Sequence, residues 1–294
     1  MNTLVIRALA KINLALDVLG KREDGYHNID MVTIPLKLHD SIEISRIPGE
    51  TQDTYLYCDD PSIVCDESNL AYKALDVMKK HCSDTGRFKI FIYKKIPVEA
   101  GLGGGSADAA AIFRAFEPAF PKSASSTEEI NKLALSVGAD VPYCFRNLPS
   151  RVQGVGEMLS PISVKTLYYV LIVKPPYGLS TKSVYQAYDL VDPATVRHPD
   201  IAQLIEGLKK GDESLIEKNL VNVLAIPAIK ALPLIQKILD QMKQMGLPLC
   251  GMSGSGSACF ALSTDKKLLE HALHNFSKDG NLAYLTQFAT DWVK

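Results

Sequence analysis

The stretch that most constrains this chain is Gly101-Leu-Gly-Gly-Gly-Ser-Ala107, which runs into Asp108-Ala-Ala-Ala-Ile112. Four glycines in five residues free the backbone to visit positive φ and leave no side chains in the way. The alanine-rich run has strong helix propensity and ends near Pro118. The pattern predicts a helix from Ser106 whose first N–H groups point back into the loop. Those donors, with the positive end of the helix dipole, suit phosphate oxygens. A plain tight turn needs one or two glycines, not four. The Ser106 hydroxyl can cap the helix, touch a phosphate or reach a metal. Two commoner glycine signatures fail. A Walker loop needs a lysine before Ser106, where Gly105 stands. A dinucleotide fingerprint needs a third glycine or alanine where Ser106 stands, which disfavours a Rossmann oxidoreductase.

A second cluster, Gly251-Met-Ser-Gly-Ser-Gly-Ser257, interleaves glycines with hydroxyls. A flexible connection between helix and strand is the alternative reading of it alone. Two anion-suited loops in one chain point to one phosphate-rich ligand. Phosphoryl transfer needs a cradle, a cation to offset charge and a carboxylate to take the acceptor's proton. Lys11 in Ala10-Lys-Ile-Asn13-Leu14 is out of place on a half-buried strand, where a lysine is more often solvated. Asp140 in Gly138-Ala-Asp-Val-Pro142 reads, taken alone, as a cap or turn residue. Beside the phosphate loops both gain weight as catalytic groups. Gly25-Tyr26-His27 closes a polar turn, and an aromatic ring next to an imidazole can hold a base or sugar, or simply decorate a surface.

Composition bounds the rest. The net charge is −1, with 47% hydrophobic and 22% charged residues, which fits a globular chain and counts against disorder and bulk electrostatic binding of nucleic acid. The 294 residues suit one large domain or two ordinary ones. The six cysteines form no CxxC pair or zinc spacing, and read as free thiols in a reducing compartment. No apolar run reaches the roughly 18 residues of a membrane helix, and no signal-peptide pattern opens the chain. The expectation is a cytoplasmic protein without membrane or nucleic-acid partners.

Periodicity predicts strands over 4–19 (with a break at 10–13), 31–38, 41–47, 88–93, 167–173 and 283–288. Helices are expected over 69–80, 106–117, 200–209, 213–224, 228–245 and 268–276. One more is opened by a capping box, Ser126 and Glu129, with Gly138 as its stop. Residues 147–166 read as irregular. Helices and strands do not alternate strictly, so the fold class is α+β, with a domain boundary near 150–165.

Pro97–Ala111, with Ala10-Lys11-Ile12-Asn13-Leu14 before it and Gly251–Ala258 after it, resembles the three motifs of the GHMP kinase superfamily, in order. Arg22-Glu-Asp-Gly-Tyr-His27, Gly138–Pro142 and Gly154-Val-Gly-Glu157 narrow the likeness to the branch acting on a cytidine diphosphate-linked methylerythritol. The resemblance implies a two-domain GHMP kinase fold. A ribosomal S5 domain 2-like nucleotide-binding half would span 1–157 and a ferredoxin-like half 158–294, with the substrate in a cleft between them. It implies Lys11 and Asp140 as the catalytic pair, and ATP as phosphate donor with Mg²⁺ bridging its phosphates. Pro97, Val98, Glu99, Ala100, Gly101, Leu102, Gly103, Gly104, Gly105, Ser106 and Ala107 would hold the nucleotide phosphates, with Asn69 and Lys94 near the adenine. Asn13, Tyr26, His27, Val155 and Tyr185 would form the cytidine pocket. Glu99 and the Leu148–Gln153 stretch with Arg151 depart from the family pattern. The alternatives are another small-alcohol kinase of the homoserine or mevalonate type, or a non-catalytic S5-like RNA-binding module. The latter is disfavoured by the near-neutral charge and the second glycine loop. Monomer and homodimer stay open.

Overall fold

The computed structural model describes residues 3–49, 53–82, 86–119 and 127–290, and the chain folds as α+β. It forms two compact units that interleave along the sequence. One comprises Met1–Ala10, Leu38–Ile96 and Gly103–Asn147, and the other Lys11–Lys37, Pro97–Leu102 and Leu148–Lys294. Two long strands, β1 (Thr3–Lys21) and β2 (His27–Ile47), each contribute to both.

In the first unit, the end of β2 pairs antiparallel with β4 (Arg87–Tyr93), and β3 (Thr54–Cys58) lies parallel to β4. Phe88, Ile90 and Ile92 of β4 are buried and alternate with more exposed residues, as the period of two predicts. Helix α1 (Leu70–His81) buries Ala71, Ala74, Leu75 and Met78, the i, i+3, i+4, i+7 stripe of an amphipathic helix. It packs on α2 (Gly104–Phe116), as does α4 (Val141–Arg146). Ala107 and Ala109–Ala111 are fully buried, and their small side chains let these neighbours approach closely. Helix α3 (Thr127–Val137) stops before Gly138, whose N–H reaches Ala134 O at 3.2 Å. Ser126 of the expected capping box lies outside the described residues.

In the second unit, the start of β2 pairs antiparallel with β5 (Ser150–Gly154), which pairs with β6 (Met158–Pro161). A separate antiparallel sheet has the order β10-β7-β9-β8, with β7 (Tyr169–Lys174), β8 (Cys250–Met252), β9 (Cys259–Ser263) and β10 (Leu282–Gln287). Val170–Val173 are all fully buried, which explains an apolar run without alternation. Helices α5 (Thr181–Tyr188), α6 (Ile201–Lys210), α7 (Glu213–Asn219), α8 (Ala225–Ala231), α9 (Leu234–Gln244) and α10 (Lys266–Lys278) complete the unit. Helices α9 and α10 pack on the second sheet.

Several expectations are corrected. Helix α2 begins at Gly104, not Ser106, because Ala107 N–H closes a first turn on Gly103 O at 2.8 Å. The two strands expected over 31–47 are one. His39-Asp40 interrupts the apolar pattern without turning the chain, since the buried Asp40 carboxylate accepts from Lys95 and Ile96 N–H at 2.6 and 2.8 Å. Residues 150–161 form a strand pair, with Gly154 and Gly156 supplying the positive φ of the turn. The helix expected over 228–245 is two, parted at Pro233, which has no N–H to donate. The helix expected to reach 224 stops at Asn219, because Leu16 of β1 exchanges backbone bonds with Val221 and Val223. Strand β3 and helix α5 have no counterpart in the sequence reading.

The start of α1 is set by Asn69, whose Oδ1 accepts from Ala71 N–H at 2.9 Å while its amide donates to Val64 O at 2.9 Å. Asn69→Ala removes the cap and should cost about 1 kcal/mol, read as a lower denaturant midpoint at unchanged slope.

Candidate active site

In the first unit, Gly103 adopts the left-handed conformation (φ 72°) at the N-cap of α2, and no side chain caps the helix. Gly104 sits so close to Ile96 and to the Lys94 ammonium that an added Cβ would lie 3.2 and 3.3 Å from them. At exposed Gly105 an added Cβ would meet only Leu70, at an ordinary 3.7 Å. The positive φ of Gly103 calls for glycine, and a Cβ at Gly104 would crowd Ile96 and Lys94, whereas the bare backbone at Gly105 is surplus to packing. That is the character of a surface kept open for a ligand.

Beneath this turn lies a buried ionic triad. The Lys94 Nζ donates to Asp40 Oδ2 at 2.5 Å and to Asp108 Oδ2 at 2.9 Å. Burial disfavours the ammonium, but Asp108 and Asp40 outweigh it and hold the Lys94 pKa up. Among the described residues, the buried Asp108 Oδ1 has no hydrogen-bond partner. Burial pushes its carboxyl up to about 7, against the pull of Lys94. Thus Lys94, assigned from sequence to the adenine, has its charge committed to two carboxylates that tie the end of β4 to α2. Asn69 likewise is occupied as a helix cap. Asp140 sits at the N-cap position of α4, half-buried, yet its side chain makes no cap bond to that helix.

In the second unit, the Lys11–Leu14, Pro97–Leu102 and Gly251–Ala258 parts of the three motifs meet. Lys11 is buried, and its Nζ donates to Asn13 Oδ1 at 2.7 Å. The Asn13 amide donates to Thr33 Oγ1 at 2.9 Å and contacts Met31 Sδ at 3.0 Å. The Ser253 hydroxyl accepts from Asn13 N–H at 3.1 Å and donates to Gly101 O at 3.0 Å. Backbone bonds join Lys11 N to Leu102 O (3.0 Å) and Ala258 N to Ala100 O (3.2 Å). Gly101 has φ 70°, and a Cβ there would fall 2.1 Å from Ser253 O. Glu99, at a positive φ of 52°, lays its side chain against Gly178, where no Cβ would fit. Arg151 is engaged in a two-pronged pair with Asp30 across β2 and β5, at 2.9 and 2.6 Å.

The residues read as a base pocket also lie in this unit. The Arg22-to-Tyr26 turn is closed by Arg22 N–H on Tyr26 O (2.8 Å) and an Arg22–Asp24 pair at 3.0 Å. It leaves Tyr26 61% exposed. His27 and Tyr185 come together, ring centroids 5.1 Å apart at 32°. Val155 follows the Ile29–Gly154 pair of the β2–β5 ladder, and its N–H is held by Glu157 Oε2 at 2.7 Å. Among the described residues, no group of three or more His, Cys, Asp and Glu side chains comes together to hold a metal, and no helix is long and apolar enough to cross a membrane.

The GHMP kinases N terminal domain family matches residues 69–147, and the GHMP kinases C terminal family matches 204–282. A Clostridium beijerinckii protein named 4-diphosphocytidyl-2-C-methyl-D-erythritol kinase is 40% identical over 260 residues, 88% of this chain and 91% of the relative. The chain belongs to the GHMP kinase family. A Lachnoclostridium phytofermentans relative of this GHMP kinase, bearing the same name, is 36% identical over 98% of both chains. A crystal structure of 4-(cytidine 5'-diphospho)-2C-methyl-D-erythritol kinase superposes with a TM-score of 0.80 at 29% identity, covering 97% of this chain and 99% of that one. A homoserine kinase from Cytophaga hutchinsonii shares the fold, with a TM-score of 0.75 at 17% identity over 98% of this chain and 95% of that one.

Three participants escaped the sequence reading. Ser253 was visible only as one hydroxyl of several. Asp108, an acid inside an alanine run, was a legible anomaly, and Asp40 became meaningful only with its partners. Two outcomes follow. Gly101→Ala should unfold at markedly lower denaturant, whereas Gly105→Ala should keep the fold and weaken ATP binding about tenfold or more, measured by calorimetry. Between pH 3.8 and about 7 the folded chain keeps a proton on Asp108 that the unfolded chain releases, so this group's stability contribution falls as pH rises through that window. Asp108→Asn should therefore gain stability relative to the parent from pH 5 to pH 8. Equal differences at both pH values in urea titrations would contradict this.

Proposed function

We propose that this GHMP kinase transfers the γ-phosphoryl group of ATP to the 2-hydroxyl of 4-diphosphocytidyl-2-C-methyl-D-erythritol, a step of the non-mevalonate route to isoprenoid precursors. The observation that carries this reading is the 36% identity to the Lachnoclostridium kinase over 98% of both chains. The homoserine and mevalonate kinases that share the fold stand at 13–17% identity, so they support the architecture and not their own substrates.

The glycine-opened start of α2, with no side-chain cap, suits the phosphates of ATP: donors in a row, a favourable dipole and no side chain at Gly105. Mg²⁺ is proposed to arrive with ATP and would supply charge neutralisation on the transferring phosphate. Asp140 is the general base that takes the proton from the 2-hydroxyl. Its half-buried place at the N-cap position of α4, in the Gly138–Pro142 turn, supports that role. Lys11 offsets the negative charge that builds on the acceptor oxygen. Its short bond to Asn13, itself held by Thr33, fixes where the ammonium sits before substrate arrives. Asn13, Tyr26, His27, Val155 and Tyr185 receive the cytidine. Residues 1–157 are proposed as the nucleotide half and 158–294 as the second half, in the order of the two family matches. The compact units interleave because β1 and β2 each run through both. The reaction is placed in the cytoplasm.

Asp140→Asn keeps the shape and removes the basicity. It should lower kcat by roughly 10²–10⁴-fold with little change in substrate binding, measured by steady-state kinetics and calorimetry. A variant turning over at the parental rate would remove Asp140 from the mechanism.

A further inference from the structure

The geometry points to Asp189 as a positioning residue that decides which nitrogen of His27 meets the substrate's base, and thereby selects cytosine over uracil. This rests on the reading of His27 and Tyr185 as part of the base pocket.

His27 opens β2, and its side chain is only 8% exposed. Two groups from α5 grip the imidazole. The Tyr185 ring lies against it, and Asp189, one turn further on and just past the helix end, places Oδ1 2.6 Å from Nε2. The Asp189 N–H reaches Tyr185 O at 3.1 Å, so the two residues stay on one face of the turn. The other carboxylate oxygen accepts from Lys21 Nζ at 2.6 Å.

A carboxylate held by two donors is an anion. Hydrogen bonds from Lys21 and then His27 hold the Asp189 pKa below the usual carboxylate range. An ionised carboxylate only accepts, so Nε2 must carry the proton. In the tautomer with its proton on Nε2, the ring presents a lone pair at Nδ1, its one remaining polar atom. An acceptor there takes an N–H from cytosine's exocyclic amine. Uracil presents a carbonyl oxygen at the same ring position, so two acceptors would face each other.

The test uses the full chain and acceptors that differ only in base. The parent should favour the cytidine acceptor over the uridine one by at least ~10-fold in kcat/KM. Nitrogen NMR should show His27 with its proton on Nε2. In Asp189→Ala the ratio should fall to within about threefold of unity, with the proton shared between both nitrogens and KM for ATP unmoved. Asp189→Glu should restore part of the ratio, which a merely misfolded variant would not allow. An Asp189→Ala enzyme that keeps both ratio and tautomer overturns the role of Asp189 and leaves the pocket intact. A parent indifferent to the base overturns the base-pocket reading itself, and the selection with it, whatever the tautomer.

Discussion

A single close approach organises the second unit. The chain at Gly101 passes so near the Ser253 carbonyl that only a hydrogen fits on its α-carbon. Because the two backbones touch, the Ser253 hydroxyl can bridge Gly101 O and Asn13 N–H, and Leu102 O can receive Lys11 N–H. Three segments separated by up to 240 residues are thereby locked in mutual register. Push Gly101 outward by a methyl group and the Ser253 bridge between Gly101 O and Asn13 N–H is strained. The glycine here is a packing requirement first, and its contribution to chemistry passes through the neighbours it admits.

Charge burial is the second theme. Lys11 and Lys94 are both ammonium groups taken out of water, which is costly unless each finds partners. Lys94 lies between two carboxylates, and the pair of acids sharing one cation leaves Asp108 Oδ1 without a partner among the described residues. Such a triad is a poor source of stability, since apolar packing of the same volume would serve as well. Its effect is geometric: Asp40 fixes Lys95 and Ile96, and Lys94 fixes the first turns of α2, so the helix start is held from below. The chain then crosses from the second unit to the first between Leu102 and Gly103, within the loop that the two glycine constraints share.

Helix α5 links fold to selectivity. It carries Tyr185 and is followed within a turn by Asp189, and both reach one imidazole. Its eight residues bury only Val184, so its exposed sequence offers no apolar stripe to mark it. The tyrosine was found through family likeness, while the aspartate left no trace that a reading along the chain could pick up.

What the sequence determined by itself is what depends on neighbours in the chain. The glycines before the alanine run announced an anion-suited helix start, and the period of two in Phe88–Ile92 and the apolar run of β7 announced their strands. The motifs in order announced the GHMP kinase family, borne out by the matches at 69–147 and 204–282. What the tertiary structure decided is what depends on distant partners. Whether His39-Asp40 turns the chain hinges on Asp40 finding Lys95 and Ile96, 55 and 56 residues away. Where α7 stops hinges on β1 claiming Val221 and Val223. Whether Lys94 and Arg151 are available to a ligand hinges on acids 54, 14 and 121 residues distant. Hydrogen bonds and ion pairs act over a few ångströms of space regardless of separation along the chain, so a residue's partner, and with it its role, is written only in the fold.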